Sequence, residues 1–116
     1  MTALTATRLN LADMTMSFRA LEMVAETHPN LPTALFHLRG VTLAAEQVID
    51  VQFHHTPDAF AAWCEAFDVD TAPLETRSTG FGYYTQAVIR YAGVTFVLVL
   101  DHLDKEWRTQ PEAVAA

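Results

Sequence analysis

Val94-Thr95-Phe96-Val97-Leu98-Val99-Leu100 is the stretch that decides the fold. In an extended strand alternate side chains point to opposite faces. Val94, Phe96, Leu98 and Leu100 therefore line one side, and Thr95, Val97 and Val99 line the other. A strand with one wet face would carry polar residues on that second side. Both sides are apolar, which predicts a central strand covered on both faces. Tyr83 to Tyr91 is its hairpin partner, joined through the turn residues Ala92-Gly93. Just upstream, Gly80 and Gly82 predict a bend or bulge.

Working outward, Leu74 to Thr79 is a polar strand suited to a sheet edge. Thr56-Pro57-Asp58 opens a helix, with a Thr cap, a proline whose missing N–H is harmless in the first turn, and an acid at the positive end of the dipole. That helix runs to about Phe67, with Phe60, Trp63, Cys64 and Phe67 on its inner face. Glu46 to His55 alternates Ile49, Val51 and Phe53 against Glu46, Val48, Asp50, Gln52 and His54, so it has a wet side and lies nearer an edge. Residues 34 to 39 form another strand, which Gly40 ends.

Asp13 or Thr15 caps the first helix, which runs to about Thr27 and stops because Pro29 disfavours helical geometry at His28. Met14, Phe18, Leu21, Val24 and His28 share one face by their spacing, and Met16, Ala20 and Met23 make a second stripe beside it. The wide arc reads either as a broad core contact or as a partner surface. Leu38-Arg39-Gly40-Val41-Thr42-Leu43 echoes Tyr91-Ala92-Gly93-Val94-Thr95-Phe96, which suggests a helix-then-hairpin unit used twice. The expected fold is an α+β two-layer sandwich: an antiparallel sheet of four to five strands with both helices on one face. Residues 1–12 are an N-terminal arm, 13–108 one domain, and 109–116 a flexible tail.

Composition sets the function classes. A chain of 116 residues with 51% apolar and 18% charged residues is a globular domain, and no apolar run is long enough to span a bilayer. Seven basic against fourteen acidic residues work against direct nucleic-acid binding, which needs clustered Lys and Arg. The acids are dispersed, so mimicry of a nucleic acid is a minor alternative. Residues 1–8 lack the pattern of a secretory signal, and Cys64 is the one cysteine, which agrees with a reducing cytoplasm.

The element order, with His28-Pro29-Asn30-Leu31-Pro32, Phe60-Ala61-Ala62-Trp63-Cys64-Glu65-Ala66-Phe67 and Tyr91-Ala92-Gly93-Val94, resembles a group of small uncharacterised proteins common in high-GC actinobacteria. The similarity spans Leu11 to Leu100. It implies the fold and a cytoplasmic home, and it carries no activity or site residue with it.

No motif names a reaction. His54 and His55 with Asp58 and His37 invite a metal reading, but adjacent strand residues point to opposite faces, and the spacing of zinc modules is missing. Asp101, His102 and Asp104 read as solvated strand-end charge. Cys64 sits on an inner helix face with no cationic neighbour, as a small hydrophobe does. Thr79-Gly80-Phe81-Gly82 resembles a piece of a phosphate loop, yet no helix follows to hold an anion. No metal or other cofactor is therefore expected.

Two amphipathic helices dry one side of the sheet, so the other side needs a cover. The N-terminal arm or C-terminal tail is one such cover and a second copy of the chain is the other; the expectation is a homodimer, joined through the sheet face or through the Met16/Met23 stripe, with Met16, Ala20, Met23, Tyr84, Val88, Val97 and Val99 as interface candidates. The leading function is a non-catalytic cytoplasmic interaction or regulatory module with a protein partner. The alternative is a small-ligand binder or enzyme with a pocket between sheet and helices, its polar groups drawn from His37, His54, Tyr83, Tyr84 and Arg90.

Overall fold

The computed structural model describes residues 10–39 and 47–109. The N-terminal arm before Asn10, the Gly40 turn with its Gly40-to-Leu43 half of the repeat echo, and the tail from 110 onward lie outside the described residues. The elements are α1 (Thr15–Thr27), β1 (Leu35–Arg39), β2 (Val48–His54), α2 (Pro57–Ala66), β3 (Thr76–Ser78), β4 (Tyr83–Tyr91) and β5 (Val94–His102), with short 3-10 turns at Leu11–Met14 and Trp107–Thr109. Among the described residues one five-stranded sheet forms in the order β1-β2-β5-β4-β3. The polar β3 stands at an edge, and β5 is in the middle, as its two apolar faces predict.

The architecture is the expected α+β two-layer sandwich, with a mostly antiparallel sheet. One pairing differs in direction. β1 with β2, β3 with β4 and β4 with β5 are antiparallel, while β2 and β5 run parallel from Val48 opposite Thr95 to His54 opposite Asp101. The chain leaves β2 through α2, runs along β3 and β4, and returns through the Ala92-Gly93 turn to lie beside β2. Ala92 and Gly93 have φ of 53° and 80°. Both are left-handed, which is the backbone of a two-residue primed turn whose twist matches its strands.

Neither expected residue caps α1: Met14 stands at its N-cap and no side chain closes it, while Asp13 and Thr15 bond within the preceding 3-10 turn. Asp13 accepts a hydrogen bond from the Asn10 N–H at 2.8 Å, and Thr15 Oγ1 donates to the Ala12 carbonyl at 2.7 Å. Ile49, Val51 and Phe53 of β2, Ala87 and Ile89 of β4, and Val94, Phe96, Leu98 and Leu100 of β5 meet Ala20, Val24, Phe60, Trp63 and Cys64 in one core. Each fully buried Phe or Leu there contributes roughly 1.5 to 3 kcal/mol. Edge-to-face contacts of Phe53 with Phe60 and Trp63, at 5.8 and 5.9 Å, add direction to the packing. Trp63 Nε1 donates to the Pro32 carbonyl at 2.8 Å, which ties the two-proline connection to α2.

Two expectations about α1 need correction. Ala20 is wholly buried, and Phe18 is 45% exposed. The helix meets the sheet through Ser17, Ala20 and Val24, small or β-branched residues that allow close approach, and Ser17 also bonds Gln47 ahead of β2. Phe18 is too large for that contact and is turned outward. Met16 and Met23 remain half exposed on the flank, so Met16, Ala20 and Met23 do not form one outward stripe.

After β5, Trp107 packs edge-on against Phe60 at 5.2 Å, while Leu103 stays exposed. Arg108 fixes this segment by donating to the carbonyls of Thr71 and Leu74.

Candidate functional site

The face of the sheet opposite the helices is built by strand alternation. Register places Arg39, Val48, Thr95 and Arg90 in one row across β1, β2, β5 and β4. His37, Asp50, Val97 and Val88 form the next row, then Leu35, Gln52, Val99 and Gln86, then His54, Asp101 and Tyr84, with Arg77 of β3 beside Tyr84. Val97, Val99 and Val88 make an apolar strip on β5 and β4, bordered by Asp50 and Gln52 of β2 and by Gln86 of β4. Thr95 is buried among its neighbours, Val97 and Val99 are half-buried, and Val88 and Leu35 are 56% and 67% exposed. Among the described residues both helices lie on the other side, with the core. Arg39 is held to Asp50 by two parallel bonds of 2.9 Å, the strong bidentate form of the ion pair.

The predicted pocket residues sort differently from the expectation. Tyr83 is on the helix side, but His37, His54, Tyr84 and Arg90 all belong to the open face. A pocket between sheet and helices is therefore not what they line. The reason is parity: Tyr83 and Tyr84 are adjacent in a strand, so they face opposite ways. Tyr84, Val88, Val97 and Val99, four of the interface candidates, share the open face with the displaced polar residues.

A second feature sits at the end of the sheet where β2 and β5 finish. A cavity of about 290 Å³ opens there, lined by residues that include His54, His55, Phe81, Tyr83, Asp101 and Leu103. Strand alternation predicts opposed rings for His54 and His55. Instead the rings stack 4.1 Å apart at 18°, because His55 leaves the strand with φ of 57° and its N–H donates to the Asp101 carbonyl at 2.8 Å. His54 Nδ1 is 3.9 Å from Asp101 Oδ2.

His102 also departs from expectation, being buried rather than solvated. Its Nδ1 is 2.7 Å from the Asp104 carbonyl, which only accepts, so Nδ1 carries the proton. Nε2 then accepts from Thr85 Oγ1 at 3.0 Å, and Thr85 is 3.2 Å from Thr76 Oγ1. Both imidazole nitrogens are satisfied, as a structural histidine requires. The ring of His102 stacks on Tyr83 with centroids 6.0 Å apart.

Sequence reading missed Phe81 as more than a bulge residue. It is 95% exposed. A lone aromatic between two glycines at a loop tip was the signal available. Cys64 is buried, and desolvation pushes its thiol up to about 11, so it is a poor nucleophile near neutral pH. Among the described residues no three of His, Cys, Asp and Glu come together as a metal-binding group. No helix among them is long and apolar enough to cross a membrane.

No protein-family model matches this chain, and no curated protein matches it either.

Proposed function

We propose that the protein is a non-catalytic interaction module that works as a homodimer, with the open sheet face of one copy packed on that of another. The observation that carries this reading is the apolar strip on that face, Val88, Val97 and Val99, exposed or half-buried, with Val48, Leu35 and Tyr84 on the same face. Apolar side chains gathered on an uncovered sheet face mark an interaction surface.

Size supports a second copy as the cover. Five strands about 4.8 Å apart, and seven residues of about 3.3 Å each, give a face of roughly 24 by 23 Å. Two such faces cover about 1,100 Å², which passes the roughly 1,000 Å² that a specific interface needs. A two-fold axis sets the same patch against itself, so Val88 and Val97 of each copy meet their equivalents without any new surface being required. Aligned face-to-face packing of two sheets is a common solution for burying a second apolar side.

The inert, buried Cys64 fits a reducing cytoplasm. The resemblance to the actinobacterial group adds a shared fold and the same compartment, with no activity attached. Methyl NMR on a dilution series tests the reading. The Val88, Val97 and Val99 signals shift with concentration, and those of the core residues Val51 and Leu98 stay fixed. Shifts confined to the Met16 and Met23 methyls place the contact on the helix instead and overturn it, as does a spectrum that does not change at all.

A further inference from the structure

We propose that the outer edge of β1 is the docking site for an extended segment of a partner protein, which adds to the sheet as a further strand and sets one large apolar side chain beside Phe36. The hydrogen-bond register defines that edge. Thr95 N–H donates to the Gln47 carbonyl and His55 N–H to the Asp101 carbonyl, so the odd-numbered residues of β2 turn their backbone groups toward β5. Val48, Asp50 and Gln52 therefore turn theirs toward Arg39, His37 and Leu35 of β1. The N–H and C=O groups of Phe36 and Leu38 point the other way, out of the sheet, and no described residue bonds them. These are four backbone groups at the spacing that an extended chain matches.

The two edges of the sheet are not alike. β3 is three residues long and carries Arg77, with Glu75 just ahead of it. Short, charged edges of that kind keep other chains from pairing. β1 has five residues and no proline, its one charged side chain, Arg39, is held by Asp50, and Leu35 is 67% exposed. An edge left open in this way accepts a strand.

A pocket of about 240 Å³ on the helix side of the same strand receives a side chain. Leu21, Val24, Ala25 and His28, which share one face of α1, wall it together with Phe36 and Trp63. Separate contacts show that these walls meet. The Phe36 and Trp63 rings lie 5.9 Å apart, and Trp63 Nε1 donates to the Pro32 carbonyl, in the connection from α1 to β1. With the indole N–H already bonded, the pocket suits an apolar group. A cavity of roughly 150 Å³ is enough for benzene, so one Leu- or Phe-sized side chain fits. Every second residue of an added strand falls on this side, next to Phe36.

A second copy of the chain is the poorer occupant. Five residues of about 3.3 Å each, on a sheet about 10 Å thick, give an edge of roughly 170 Å², so two copies paired there cover roughly 340 Å² against the roughly 1,000 Å² that a stable dimer needs. That copy would also present its own Phe36 and Leu38, which are packed on its own core. The pocket would stay empty. The inference names a partner class for the interaction module proposed above and rests on that part of the reading, not on the dimer contact, which lies on β4 and β5.

The test selects peptides on the full chain from a displayed library of random sequences and follows one resynthesised peptide by amide NMR. Selected peptides share a Leu or Phe at one position, and binding protects the Phe36 and Leu38 amide protons from exchange. Alanine at that peptide position weakens binding by about tenfold. Leu38→Pro removes one outward N–H and no bond of the β1–β2 ladder, which an edge strand tolerates, and it weakens the peptide by about tenfold, while Leu38→Ala keeps the N–H and binds within about twofold of wild type. Methylating the peptide's own pairing nitrogens gives the same loss with the protein unaltered. Failure to enrich any peptide, unchanged exchange at Phe36 and Leu38, or full binding by the methylated peptide overturns the proposal. Val88→Lys, on the face proposed for the dimer, binds the peptide as wild type does, so the two readings fail separately; loss of the peptide in that variant places the site on the open face and overturns the edge assignment.

Discussion

Val88 and Val97 stand directly opposite one another across the β4–β5 ladder, on the face the helices do not reach. With the half-buried Val99 on the same strand they form an apolar strip on that face. Cross-strand pairs of this kind stabilise a sheet by a few tenths of a kcal/mol to about 1 kcal/mol. Leaving them in water wastes the larger gain available from burial.

Val88→Lys puts a charge in the middle of the proposed contact at a site already 56% exposed. The variant folds, keeps its near-UV circular dichroism, and self-associates about a hundredfold more weakly or worse. Sedimentation equilibrium of variant and wild type side by side reads the difference.

Burial of Cys64 gives the fold a measurable alkaline weakness. Its thiol is raised from 9.0 to about 11 in the folded protein, so the folded state holds this proton more tightly than the unfolded chain does. The stabilising effect is complete below pH 9 and is lost as the pH rises through 11, amounting to about 2 to 3 kcal/mol at the top of that window. Urea unfolding of wild type and Cys64→Ala at successive pH values checks it, since the variant lacks this part of the slope.

Trp63 does two separable jobs, filling the core and donating to Pro32. Trp63→Phe keeps most of the volume and loses the bond, at a cost of about 1 to 2 kcal/mol. Trp63→Ala loses both and costs about 3 to 5 kcal/mol. Denaturant midpoints of the two variants separate the contributions.

The buried chain from Thr76 through Thr85 to His102 depends on the central hydroxyl. Thr85→Val is nearly the same shape but leaves His102 Nε2 without its donor, which costs about 1 to 3 kcal/mol. Thr85→Ser keeps the hydroxyl and recovers most of the loss in the same unfolding measurement.

How far the sequence could be read depends on the kind of signal. The two apolar faces of β5 and the Ala92-Gly93 turn gave the β4–β5 hairpin its place, and the start signal Thr56-Pro57-Asp58 located α2, because those features are local. The parallel pairing of β2 with β5 was not legible, since nothing local in either strand states the direction of its neighbour. On α1 the pattern favoured the large Phe18 for the core. Close approach of helix and sheet instead selected Ser17 and Ala20, a tertiary choice that hydrophobicity does not encode. The open face was readable from Val97 and Val99, but the gathering of His37, His54, Tyr84 and Arg90 on it needed the strand register. The cavity at the sheet end escaped because it depends on the left-handed turn at His55, which brings together two rings that alternation separates.

Analytical ultracentrifugation of the full chain at neutral pH, from about 1 to 100 μM, tests the dimer most directly. The account predicts a species of twice the 12.9 kDa chain mass that dissociates on dilution and is absent in Val88→Lys. A single species at the mass of one chain across that whole range contradicts it.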